Sequence, residues 1–112
     1  MNYNTADLIN AVYGIRTTTL QNQLTNSVGT TPTKILKRNP CRTSILITNL
    51  GTTDIIVNNT PEVSLTRGIP VEAGGGSMVL QFDSDFHMVT DEYYAISSVL
   101  NSSILVFEQV IY

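Results

Sequence analysis

Charge, cysteine, tryptophan, histidine and long apolar runs are all scarce in this chain, and each scarcity removes a class of function. Charged residues make up 13% of the 112, about half of the roughly 25% usual in soluble domains. The net charge of −3 and a pI near 4.8 lack the basic footprint of a dedicated nucleic-acid binder. Cys41 is the only cysteine, which excludes an intrachain disulfide and a thiolate zinc cluster. No apolar run approaches the roughly 18 residues of a membrane span. The opening MNYNTADLIN has neither the basic start nor the apolar block of a secretory signal. His87 is the only histidine, which leaves a Ser-His-Asp or Cys-His set short of candidates. No GxSxG, P-loop, GxGxxG or HExxH pattern occurs, and with no such motif no cofactor is expected.

What the chain does have is a neutral polar surface and a modest apolar content. Thr, Asn and Ser number 15, 10 and 9, beside 42% apolar residues. That balance suits a subunit whose faces are covered by neighbours, because interface cores are depleted in charge. The few charges are segregated. Residues 1–53 hold Arg16, Lys34, Lys37, Arg38 and Arg42 against Asp7, whereas residues 54–112 hold Arg67 against eight acids. Such asymmetry either sits in water or lets the basic part of one copy meet the acidic part of another.

The pattern divides the chain into an N-terminal arm, residues 1–32, and a β-sandwich domain, residues 33–112. In the arm, Thr5 is a candidate cap for a helix over residues 6–13 that carries Leu8, Ile9, Val12 and Tyr13 on one side, with Gly14 ending it. Leu20, Leu24 and Val28 suggest a second, weaker helical spacing. Neither stretch has the apolar area to fold alone, so the region is either an arm that orders on a neighbouring subunit or a flexible or locally packed tail. From residue 33 the signals are β. Thr33–Lys37 and Arg42–Asn49 flank the turn-forming Arg38-Asn39-Pro40 and read as a hairpin, with Asp54–Asn58 as the returning strand. Ile69-Pro70-Val71 suits an edge, and Gly74-Gly75-Gly76 reads as a turn. Ser77–Phe82, Tyr93–Val99 and Ser103–Ile111 complete six to eight strands. The fold class is therefore all-β, a small antiparallel β-sandwich or jelly-roll-like barrel with a partly helical N-terminal arm.

Several strands, such as Ile45-Leu46-Ile47 and Ile104-Leu105-Val106-Phe107, are apolar on both faces, so the outer face also needs a cover: an extra layer within the domain, the N-terminal arm or, favoured in so small a chain, another subunit in a symmetric homo-oligomer. The basic group Lys34, Lys37, Arg38 and Arg42 has no interleaved aromatics for stacking nucleobases; it reads first as a solvated hairpin and next as a contact for an acidic protein neighbour. The acidic loop Asp83–Glu92 holds Asp83, Asp85, His87, Asp91 and Glu92 but lacks the glycine and ligand spacing of a calcium loop. It reads as a solvated loop or an intersubunit salt contact. Candidate interface residues are Leu8, Ile9, Val12, Tyr13, Leu20, Leu24, Lys34, Lys37, Arg38 and Arg42; no catalytic or metal residue is expected.

The order of pieces from Arg42 to Glu108 resembles small β-sandwich proteins of tailed bacteriophage particles. The pieces are Ile45 through Thr53, Ile55-Ile56-Val57, Gly68-Ile69-Pro70-Val71, Ala73 through Ser77, Tyr94-Ala95-Ile96-Ser97, and the last strand. The resemblance implies a non-enzymatic decoration, head-fibre or tail-associated subunit, assembled in the bacterial cytoplasm and placed in the virion. Its partners would be the major capsid or another virion protein. Two alternatives stand beside it. One is a carbohydrate-binding module using Tyr93 and Tyr94, and the other is a small β-barrel enzyme.

Overall fold

Nested antiparallel pairing organises the chain. In the computed structural model, which describes residues 4–112, helix α1 (Thr5–Tyr13) precedes eight strands. These are β1 (Thr17–Val28), β2 (Thr33–Leu36), β3 (Arg42–Asn49), β4 (Ile55–Asn58), β5 (Ile69–Val71), β6 (Ser77–Gln81), β7 (Tyr93–Ser97) and β8 (Ser102–Ile111). Strand β1 pairs with β8, β2 with β7, β3 with β6 and β4 with β5, every pair antiparallel. The chain is one long hairpin rolled up, with β3–β8 and β4–β7 as the contacts that close the roll. Two four-stranded sheets result, in the orders β1-β8-β3-β6 (sheet A) and β2-β7-β4-β5 (sheet B). This is the jelly-roll arrangement of a β-sandwich.

Alternation along the strands sets the core. Ile45 and Ile47 of β3, Ile55 and Val57 of β4, and Ile104 and Val106 of β8 are buried between the sheets. Leu46, Ile56, Leu105 and Phe107 point outward and are only half-buried. The apolar runs are thus two-sided, as the sequence indicates, and only one side is spent on the core.

Four local expectations change. The Leu20/Leu24/Val28 spacing is not helical but lies in β1. A repeat of four residues is also a multiple of two, and the β-branched Thr17-Thr18-Thr19 favours extended backbone. Thr17–Val28 of the expected arm is therefore the edge strand of sheet A, and α1 is the part that stands off it. Residues 33–49 are not a hairpin, because β2 and β3 lie in different sheets, and β4 likewise crosses back to sheet B. The acidic stretch is not an open loop: it forms a one-turn helix, α2 (Phe82–Asp85), followed by a 3₁₀ turn over Phe86–Thr90. Finally, α1 is capped by Asn4, whose side chain accepts from the Asp7 amide at 2.8 Å, rather than by Thr5. Gly14 ends it in the left-handed region.

Buried polar groups fasten the crossings. Asn49, fully buried at the end of β3, donates from Nδ2 to the carbonyls of Thr53 (2.9 Å) and Val71 (3.0 Å) and accepts from the Gly51 amide (2.9 Å). Its own backbone carbonyl takes the Gly75 amide, so one residue holds the β3–β4 crossing against the turn where Gly74 and Gly75 have positive φ. Replacing it by alanine strands one buried carbonyl, one part-buried carbonyl and one part-buried amide. The expected loss for Asn49→Ala is about 3 kcal/mol of unfolding free energy, read from urea denaturation.

Candidate functional site: a basic-rimmed cleft and a projecting arm

Strand lengths leave a gap on one flank of the sandwich. Strands β1 and β2 are the facing edges of the two sheets, but β1 has 12 residues and β2 has 4. The inward side of β1 therefore outruns its cover. Leu20 remains 46% exposed, and Leu24 packs only partly against the core. A cleft of about 630 Å³ opens there, with Leu24, Ile35 and Leu36 as its apolar lining and Lys34, Lys37 and Arg38 among its polar residues.

Arg42 lies at the base of this cleft and is buried, with 3% exposure. It is therefore not the surface contact that its charge suggests. A bulge between Arg42 and Ser44 turns the side chain inward, opposite Val110. There its Nε donates to Glu108 Oε1 at 2.6 Å. Its Nη1 donates to the carbonyls of Val89 and Asp91, both at 3.0 Å, and its Nη2 to that of Lys37 at 2.6 Å. The planar guanidinium has the fixed fork of donors that such a set of acceptors requires.

The other basic residues also find acids within the chain. Lys34 Nζ lies 3.0 Å from Glu92 and 5.6 Å from the centre of the Tyr94 ring. Arg38 approaches Asp91 at 3.7 Å. Because β2 pairs with β7 and β3 with β8, the basic first half is matched to the acidic second half internally. Among the described residues, Lys37 alone of this group has no acid within ion-pair distance. The hydrogen bond to Glu92 and the attraction of its charge raise the Lys34 pKa, and the same bond lowers that of Glu92. Lys34 is exposed and Glu92 half-exposed, so solvent screens the pair and it contributes little to stability.

Tyr93 is 1% exposed on the inner face of β7, and its hydroxyl donates to the Met88 carbonyl at 2.7 Å. Only the half-buried Tyr94 is left of the expected tyrosine platform. Burial pushes the Tyr93 phenol up to about 12, with the nearby Asp91 charge adding to the effect. Among the described residues, no group of three His, Cys, Asp or Glu side chains converges as a metal site would require. Cys41 is exposed and unpaired in a turn.

The second feature is the arm. By helical period Leu8, Ile9, Val12 and Tyr13 share one side of α1, and no residue of α1 is buried. Leu8, Val12 and Tyr13 are 55%, 64% and 65% exposed. Between the arm and the end of sheet A runs a groove of about 250 Å³ lined by Ile9, Tyr13, Ile15 and Phe82. Phe82, 52% exposed, extends the arm's apolar surface; its spacing reads as sharing a strand face with Met78 and Leu80, but β6 ends at Gln81 and Phe82 opens α2 instead.

No protein-family model matches this sequence, and no curated protein matches it. Among solved structures, the chain is similar to a subunit from work described as "Bacillus endospore appendages form a novel family of disulfide-linked pili". That likeness has 11% identity over 87% of this chain and 88% of that one, with a TM-score of 0.49. It is also similar to dTDP-4-dehydrorhamnose 3,5-epimerase from Bacillus anthracis str. Ames, at 15% identity over 98% of this chain and 62% of that one, with a TM-score of 0.47. Both likenesses are distant, and neither bears on what this chain does.

Two outcomes test the polar framework. Arg42→Met leaves Glu108 and three carbonyls without their partner, and a loss of about 3–5 kcal/mol in urea denaturation is expected. The Arg42→Met/Glu108→Leu double variant recovers part of it, since the unpaired carboxylate is gone. For Tyr93, the folded pKa of about 12 lies above the unfolded value near 10. Its stabilising contribution is therefore complete below pH 10 and lost as pH rises from about 10 towards 12. Tyr93→Phe makes the denaturation midpoint less steep across that window; Lys34, unchanged in both proteins, contributes equally to each curve.

Proposed function

We propose that this chain is a non-enzymatic assembly subunit that acts by contact alone, and that its setting is the virion of a tailed bacteriophage. The observation that carries the assembly reading is the arm. Helix α1 is capped at both ends yet buries none of its nine residues. An isolated helix of that length is marginal in water, and an apolar stripe left uncovered on it costs solubility. A neighbouring subunit that takes up Leu8, Val12 and Tyr13 removes both penalties. The basic rim at Lys37 and Arg38 is a second contact, suited to an acidic protein surface. The neutral polar composition fits the same role.

The jelly-roll topology is compatible with this reading without selecting it, because capsid domains, lectins and cupins share it. The placement in a phage particle rests on the sequence resemblance, with a decoration or head-fibre position preferred to a tail or connector one. Burying a large part of Tyr93 removes one of the two rings a glycan-binding surface would use, which lowers the carbohydrate alternative.

Deleting residues 1–13 tests the arm. Since none of α1 is buried, the truncated protein should melt within about 4 °C of the full chain while losing association with its particle. Unchanged association overturns the arm's role. Quantitative mass spectrometry of purified particles tests the setting. Copies on the order of hundreds place the protein on a capsid lattice, and about a dozen or fewer place it in a ring at the tail or connector. Its absence from particles overturns the virion reading.

A further inference from the structure

The outer face of sheet A carries no charged residue. Cross-strand partners lie on the same side of a sheet, so the register defines that face row by row. One row runs Val79–Leu46–Phe107–Gln21 across β6, β3, β8 and β1, and the next runs Ser77–Thr48–Leu105–Gln23. On its other side lies the row Gln81–Ser44–Gln109–Thr19. The four strands put no charge on it, because Arg42 and Glu108, their charged residues, both point inward; Asp83 borders one end, beside Ser44 and Gln81. Val79, on the edge strand β6, is 54% exposed, and Leu46, Leu105 and Phe107 on the two central strands are partly so. The outer face of sheet B differs. There Lys34 sits beside Tyr94, and Ile96 is only 8% exposed.

We propose that this uncharged face is the contact between two copies of the chain, packed sheet to sheet about a twofold axis. A twofold contact brings a surface against itself, so any charge on it faces its own kind; here there is none to repel. The rim residues are Ser, Thr and Gln, which both donate and accept hydrogen bonds and can therefore satisfy their own copies. The central apolar row supplies the buried area. Four strands about 4.8 Å apart, and some nine residues of β8 at about 3.3 Å each, span roughly 19 by 30 Å in plan. Side-chain relief brings the accessible area near the ~800 Å² per partner of a stable interface. The inference rests on the assembly reading for its setting; the face adjoins the arm's groove at Gln109, but its apolar row, Val79, Leu46 and Phe107, lies outside that groove.

The test is sedimentation equilibrium of the full chain up to about 200 µM, with three variants: Val79→Glu, Leu46→Glu and deletion of residues 1–13. Val79 is more than half exposed, so its substitution leaves folding intact, which circular dichroism and thermal melting check. The expected result is a dimer in the full chain, retained on deletion of the arm and weakened about 100-fold or more by either glutamate. A monomeric full chain overturns the proposal. So does a dimer that persists with Val79→Glu. A dimer abolished by arm deletion but untouched by Val79→Glu overturns this face and supports the arm, which separates the two readings.

Discussion

The Arg42 guanidinium is the interaction on which the roll depends. In a jelly roll most strands hand over to the opposite sheet, so the carbonyls at the ends of the crossings fall outside the ladders and still need donors. Arg42 supplies them at one end of the sandwich. It reaches Lys37 in the β2–β3 crossing, Val89 and Asp91 ahead of β7, and Glu108 on β8. Asn49 does the same at the other end. These are the first and last residues of β3, so the strand between them is clamped at both ends by buried polar side chains. Hydrophobic burial between the sheets tolerates many arrangements; these two sets of directed bonds tolerate few.

Using charge in this way has a consequence for the surface. With only 13% charged residues, a chain that commits Arg42 and Glu108 to its interior and matches Lys34 to Glu92 has little charge to place elsewhere. The outer face of sheet A is what remains. The segregation of sign along the sequence is therefore explained inside one copy, by the pairing of early strands with late ones, and needs no second copy to absorb it.

The strands were legible in the sequence, and their connectivity was not. Runs such as Ile45-Leu46-Ile47 and Ile55-Ile56-Val57 announce β structure through branched side chains. A cluster such as Arg38-Asn39-Pro40, however, serves a hairpin and a crossing equally well. The choice between them is made by which faces match across the sandwich, a tertiary fact. The spacing of Leu8, Ile9, Val12 and Tyr13 reads correctly as one side of a helix, because α1 obeys its local period. Leu20 and Leu24 misread because their spacing satisfies both periods. Arg42 misread for a different reason. The bulge that turns it inward leaves no mark in composition, and a basic residue next to a turn looks exposed.

The two proposed contact surfaces differ in kind, and the difference decides what could be built from them. A face packed on its own copy about a twofold axis is used up once the pair forms. An arm that reaches into a neighbour without a reciprocal exchange is heterologous, and such contacts repeat until a rotation closes them or continue without end. A subunit limited to the face stops at a dimer. One limited to the arm makes a ring or a filament held by a single short helix, whose ordering is unfavourable until it docks. With both, each arm contact is doubled by the pairing of its subunits, and the effective concentration of the second arm rises once the first has bound. On the proposed reading, a weak nine-residue arm would then suffice for a stable assembly, which is consistent with an α1 so short and so exposed.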